Sequence, residues 1–260
     1  IRDNHDIDKS YESFEQNAYE ILDFAYENGI QYFDTAPSYG KGELFLKNWN
    51  NKHLYKNIIL STKWGYTYVA NWQLGYSGKH EIKEHSAEKL KEQWQVSKEL
   101  LPNLKIYQIH SATLESGVLE NEAVLKQLYI LKKEHQLKIG LSSSGVNQSK
   151  ILEKALTIKI NNEYLFDSFQ VTFNFLEQAT FSTLKKAKKF GKTIIIKEGL
   201  ANGRVFSNTS EVLKIISKKH NVGFDAVVLR FIMDYLEPTY VLSGASSKKQ
   251  LTENLKALNF

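Results

Sequence analysis

A chain of 260 residues with 42% hydrophobic and 24% charged side chains can bury a real core, and it is close to the ~250 residues of a β/α barrel. No cysteine is present, which excludes a disulfide framework and cysteine-based zinc or redox chemistry. The net charge of +5 sits largely in lysine pairs on helical stretches, without interleaved stacking aromatics, so no nucleic-acid partner is expected.

In chain order, the first helix is expected at 13–28. Phe14, Ala18, Ile21, Leu22 and Ala25 share one face, Ser13 and Gln16 suit a capping box, and Gly29 suits the stop. Short β-branched or aromatic runs at 31–35 and 58–63 read as strands. An unusually long connection, 64–85, follows before a helix that starts near Ser86 and carries Leu90, Trp94 and Leu101 on one stripe. Next come a strand at 106–110, a helix from Asn121 with Val124, Leu125, Leu128 and Leu131, and strands at 138–143 and 168–173. A helix at 181–190 ending at Gly191, strands at 193–198 and 240–245, and a last helix with Leu251, Leu255 and Leu258 complete the pattern. Strands alternating with helices imply a parallel sheet covered by helices. Three prolines and no low-complexity linker imply a single domain over 1–260. No apolar run reaches the ~18 residues of a membrane span, so no membrane role is expected, and the expected location is cytoplasmic.

A barrel is favoured over an open doubly wound sheet. No Gly-x-Gly-x-x-Gly turn follows an early strand, and polar residues recur at the carboxyl ends of successive strands, where barrel enzymes place their chemistry. Asp34, Lys63 and His110 end three such strands, and Tyr39 follows in the loop after the first. Each alone has an ordinary explanation as a turn cap, a loop side chain or a satisfied core histidine. Lys63 is the hardest to dismiss, because an ammonium ending an apolar strand needs a partner, and Asp34 on the neighbouring strand can supply it. Together they form a carbonyl-reducing site. Tyr39 gives a proton to the alkoxide left by hydride addition, the Lys63 ammonium eases that loss, Asp34 holds Lys63, and His110 polarises the carbonyl. In 64–85 the aromatics Trp64, Tyr66 and Trp72 are candidates for stacking on a substrate. His80 and His85 are five apart, not four, so no metal site is expected.

These residues lie in stretches that resemble the aldo-keto reductase superfamily. The stretches are Phe33-Asp34-Thr35-Ala36-Pro37-Ser38-Tyr39-Gly40, Ser61-Thr62-Lys63-Trp64-Gly65 and Tyr107-Gln108-Ile109-His110. The likeness continues through Ile139-Gly140-Leu141-Ser142-Ser143-Ser144, Phe169-Gln170-Val171, Gly199-Leu200-Ala201-Asn202-Gly203, Ser243-Gly244-Ala245 and Gln250-Leu251-Thr252-Glu253-Asn254. It implies an eight-stranded (β/α)8 TIM-type barrel. Residues 1–9 show no strand pattern, so the barrel is expected to lack its first strand in this chain. It also implies a tetrad at Asp34, Tyr39, Lys63 and His110, with NADP(H) as cofactor and NAD(H) left open. Ser142 and Gln170 would meet the nicotinamide end, and Ser143 is a further cofactor-binding candidate. Gln250, Glu253 and Asn254 would meet the adenosine end, and Gly199, Leu200 and Gly244 are further cofactor-binding candidates. Relatives place an aromatic ring near Lys197 and an arginine near Ser246; here Lys197 stands in the first place, and Lys248 and Lys249 offer the positive charge near the second. The expected function is reduction of an aldehyde, ketone or sugar carbonyl, or oxidation of the corresponding alcohol or aldose, with a small-molecule substrate. The competing reading is a catalytically weak barrel that binds nucleotide or a partner. Oligomeric state stays open.

Overall fold

In a computed structural model, residues 10–73, 75–207 and 210–260 are described; the expectation about 1–9 lies outside them. The chain runs α1 (Tyr11–Glu27), β1 (Tyr32–Asp34), α2 (Gly42–His53), β2 (Ile59–Trp64), β3 (Tyr66–Tyr68), β4 (Glu81–Lys83), α3 (Ala87–Ser97) and β5 (Leu104–Ile109). It continues α4 (Glu122–Glu134), β6 (Lys138–Ser143), α5 (Gln148–Ala155), β7 (Lys159–Ile160), β8 (Glu163–Tyr164), β9 (Ser168–Thr172) and α6 (Phe181–Lys189). The last elements are β10 (Thr193–Lys197), α7 (Glu211–His220), α8 (Phe224–Leu236), β11 (Tyr240–Val241) and α9 (Lys248–Leu255).

Seven strands form one parallel sheet in the order β1-β2-β5-β6-β9-β10-β11, nearly closed into a barrel. Because the strands are parallel, their carboxyl ends emerge on one rim. The register sets Asp34 beside Ser61, Lys63 beside Gln108 and Ser142 beside Gln170. β6 and β9 are buried almost throughout, the signature of a sheet covered by helices. Gly140 brings them together, since a Cβ there would stand 2.1 Å from Ser168 Oγ. Two small antiparallel pairs lie outside the barrel sheet, β3 with β4 and β7 with β8.

The structure shifts some boundaries. The first helix begins one turn earlier than its pattern suggests. Its cap is Ser10, whose hydroxyl accepts from Ser13 N at 3.2 Å, so the Ser13 capping box is corrected. Its apolar face is only partly covered, because Ile21, Leu22 and Ala25 face a cleft beside β1. The run 240–245 keeps just two strand residues, and Leu242 to Ala245 become loop along that cleft. Helices α2, α5, α7 and α8 are not among the elements expected from the sequence. In α8 the run Ala226-Val227-Val228-Leu229 is buried.

Between β1 and β11 the sheet has a seam. The rings of Tyr32 and Tyr240 stack across it, centroids 4.0 Å apart and planes 8° from parallel. The Tyr32 hydroxyl is buried, with no hydrogen-bond partner among the described residues.

Candidate active site

Three adjacent strands carry the charged and polar centre on their carboxyl ends. Lys63, wholly buried on β2, donates to Asp34 Oδ2 at 2.5 Å and to Thr35 O at 2.9 Å. Asp34 Oδ1 accepts from Gln170 Nε2 at 2.9 Å and Gln108 Nε2 at 3.3 Å, and Gln108 also donates to Ser61 Oγ at 2.8 Å. Burial works against the Lys63 ammonium, but the Asp34 carboxylate and the Tyr39 phenol outweigh it and hold its pKa above the ordinary lysine value. The result is a buried ion pair whose spare acceptor sites are filled, the condition under which such a pair is tolerated.

Tyr39 stands in a turn closed by Tyr39 N donating to Ala36 O at 3.0 Å. Gly40 continues that turn at φ +61, where a Cβ would lie 2.7 Å from the Trp72 ring. The turn sets the Tyr39 ring 4.8 Å from Lys63 Nζ and 5.5 Å, edge to face, from the His110 ring. Tyr39 is 49% exposed, so a substrate can reach its hydroxyl, whereas Lys63 beneath cannot be reached.

His110 is held from three sides. Its Nδ1 lies 3.3 Å from Ser38 Oγ, its backbone O accepts from His85 Nε2 at 2.9 Å, and its ring lies 4.8 Å from Tyr66. Burial first, then the charges of Lys63, Lys197, His85 and Lys83, lower its pKa to about 3, so the imidazole is neutral. Burial likewise lowers His85 to about 4. Gly65 makes room for His85: it adopts φ +106, and a Cβ there would lie 2.3 Å from His85 Cδ2.

From this centre a cleft of about 1010 Å³ runs past Gln170, Ser144 and Lys197 to Leu242, Ser243 and Gly244 and on to Leu251 of α9. Lys197 Nζ donates to Glu198 Oε1 at 2.9 Å and Thr172 Oγ1 at 3.2 Å. Ser142 and Ser143 are buried behind the rim, where Ser142 Oγ accepts from Ser111 N at 2.8 Å and Ser143 Oγ donates to Ala112 O at 3.4 Å. Gly199 packs on α8 close to Ile232 and Leu229, and Leu200 leads into the short 3-10 turn Ala201–Phe206. At the far end, Gln250 Oε1 accepts from Ser246 N at 2.9 Å, and Asn254 Nδ2 donates to Ser243 Oγ at 2.7 Å. Glu253 pairs with Lys256, and Lys248 pairs with Glu20 at 3.0 Å.

Of the three aromatics proposed for substrate, Tyr66 reaches the centre. Trp64 is wholly buried, edge-on to His85, and Trp72 packs against Gly40, Phe14, Tyr11 and Phe45. Sequence reasoning missed Ser38, Gln108 and His85. Gln108 was within reach of it, two residues before His110 and so on the same face of the strand. No group of three or more potential metal-ligating side chains occurs among the described residues. No described helix is long and apolar enough to cross a membrane.

The chain is 28% identical over 267 aligned positions to "Uncharacterized oxidoreductase YqkF" of Bacillus subtilis (strain 168), covering 93% of this chain and 82% of that protein. The fold matches the holo form of aldo-keto reductase AKR11C1 from Bacillus halodurans, with a TM-score of 0.72, 20% identity, and coverage of 98% of this chain and 84% of that one. It also matches glycerol dehydrogenase AKR11B4 from Gluconobacter oxydans, with a TM-score of 0.75, 17% identity, and coverage of 95% and 81%. A mutant of Gox0644 solved in complex with NADPH has a TM-score of 0.66 at 21% identity, with coverage of 95% and 80%. The profile of the Aldo/keto reductase family matches residues 8–260, and the chain, with its nearly closed parallel barrel and its Asp34–Lys63–Tyr39–His110 centre, belongs to that family.

Proposed function

We propose that this protein, acting as one barrel domain, is a nicotinamide-dependent reductase of small aldehydes, ketones or sugar carbonyls, with Tyr39 as the general acid. The observation that carries this reading is the convergence of an exposed phenol, a buried paired ammonium and a neutral imidazole on one rim. The cleft suits a dinucleotide in size and direction: it starts at the tetrad and leads away across β9 and β10 toward α9. Gln170, Ser144 and Lys197 would hold the nicotinamide end, with Ser243, Gly244 and the α9 residues Gln250, Glu253 and Asn254 toward the adenosine. NADP(H) is the favoured form, on family membership and on the NADPH complex of the Gox0644 mutant. When bound, the cofactor supplies hydride to the carbonyl carbon.

The protein's own residues manage the oxygen. With Ser38 Oγ, 3.3 Å from His110 Nδ1, acting as the donor, the neutral imidazole would carry its proton on Nε2 and offer it to the carbonyl oxygen. Tyr39 gives its proton to that oxygen as negative charge develops there, and the Lys63 ammonium stabilises the phenolate left behind. Asp34, fixed by Gln108 and Gln170, keeps Lys63 charged and in place. The spare binding-module reading lacks any need for this arrangement.

Replacing Tyr39→Phe tests it. Turnover of carbonyl substrates should fall by about 10²- to 10⁴-fold, while quenching of tryptophan fluorescence by NADPH stays close to wild type. Turnover at wild-type rates would remove Tyr39 as the acid. Failure of the wild-type protein to bind NADPH or NADH would remove the reductase reading itself.

A further inference from the structure

The hairpin of β3 and β4 sets a second cation beside the substrate centre. Tyr66 on β3 places its ring 4.8 Å from that of His110. Lys83 lies directly opposite Tyr66 in the hairpin register and holds its Nζ 5.8 Å from the Tyr66 ring centre. The ammonium is thus within a short substrate's length of His110, close enough for its charge to be felt there.

Lys83 differs from the other cations of the rim. Lys63 is matched by Asp34 and Lys197 by Glu198, each at ion-pair distance. Lys83 donates to Thr113 Oγ1 at 3.3 Å, and among the described residues no carboxylate lies within ion-pair distance of it. Glu115 acts on it only from further away, and partial burial sets it below the ordinary lysine pKa. A partly desolvated ammonium without a counter-ion is unfavourable by itself, and an anion arriving from solution relieves that cost.

We propose that Lys83 anchors an anionic group of the substrate, so that the substrate class is a small carbonyl compound bearing a carboxylate or phosphate a few bonds from the reacting carbon. The carbonyl oxygen takes the hydrogen bonds of Tyr39 and His110. The anion takes those of Lys83 and Thr113, and the Tyr66 ring packs along the carbons between. This rests on the reductase reading above.

The experiment compares matched substrate pairs on the wild-type protein, Lys83→Gln and Lys83→Arg: a 2-oxo acid with its amide, and a hydroxyaldehyde phosphate with the free hydroxyaldehyde. In Lys83→Gln, kcat/KM for the charged member that fits should fall about 10- to 100-fold, mostly through KM, while its neutral partner changes by less than about twofold. Lys83→Arg should retain most of the preference. The pair that responds separates carboxylate from phosphate. Reduction of neutral and charged members alike by the wild-type protein, or equal losses for both in Lys83→Gln, would overturn the anchor and leave the reductase reading intact. Calorimetric titration with malonate and with inorganic phosphate needs no turnover. Anion binding lost in Lys83→Gln, in a protein that reduces no carbonyl, would keep the anchor and sink the reductase reading. Anion binding indifferent to that change would sink the anchor.

Discussion

Lys63 is a charge with no water around it, and it stays charged because Asp34, Thr35 and the phenol of Tyr39 replace that water. Two histidines, His110 buried and His85 half-buried, solve the same problem the other way, by giving up their charge. In the unfolded chain both titrate near 6.5; in the fold His85 lies at about 4 and His110 at about 3. As pH falls below about 6.5, the unfolded chain therefore takes up two protons that the fold refuses, and stability declines toward pH 4. Glu43, whose carboxyl burial pushes up, acts with the opposite sign just above the ordinary carboxylate range. Comparison with a variant isolates one histidine: His85→Gln should make the fall of unfolding free energy between pH 6.5 and 4.5 shallower by up to about 1.4 kcal/mol per pH unit. Urea unfolding at stepped pH measures it, and an unchanged slope would mean that His85 is not held neutral. At this scale the tetrad was legible because each member ends a strand or follows one in a turn. Ser38 and His85 were not, because they act through contacts 72 and 25 residues away in sequence. Trp72 shows another limit: residue type says that an indole will find a partner, but not that the partners are Phe14, Tyr11 and Phe45.

The β3–β4 hairpin depends on one residue at its root. Gly65 joins β2 to β3 at φ +106, and its backbone lies against the His85 ring that donates to the His110 carbonyl. Gly65→Ala forces both a strained backbone and a Cβ 2.3 Å from His85 Cδ2. We expect it to cost about 2 to 4 kcal/mol and to raise KM for carbonyl substrates as His110 and Tyr66 shift; chemical unfolding and steady-state kinetics check the two effects. A loss below about 0.5 kcal/mol, the level of an ordinary surface change, would show that His85 is free to move aside. Helices with a cap and one apolar stripe, such as α3 with Ser86 and α4 with Asn121, were readable because local chemistry alone sets them. The hairpin was not, since its strands of three residues gain their meaning from the barrel rim they lean on.

Across the whole barrel the seven strands are not equally secured. Among the described residues, β5, β6 and β9 have hydrogen-bonded neighbours on both sides, whereas β1 and β11 are bonded on one side only. Native-state hydrogen exchange should find the amides of β1 and β11 opening well before those of β5, β6 and β9. Equal protection throughout would mean that the sheet closes on itself. The alternation of strands and helices was legible because parallel strands need helical crossovers. The geometry of the seam was not, since it depends on how two distant tyrosines meet. That meeting makes the wall of the barrel uneven in strength. Among the described residues, six joints are zippers of peptide hydrogen bonds, while β1 and β11 meet through two stacked rings, a contact worth only about 0.5 to 1.5 kcal/mol beyond its buried area. The cleft runs along that joint. Among the described residues, the site therefore borders the one stretch of wall where two side chains, and no ladder of peptide groups, make the join.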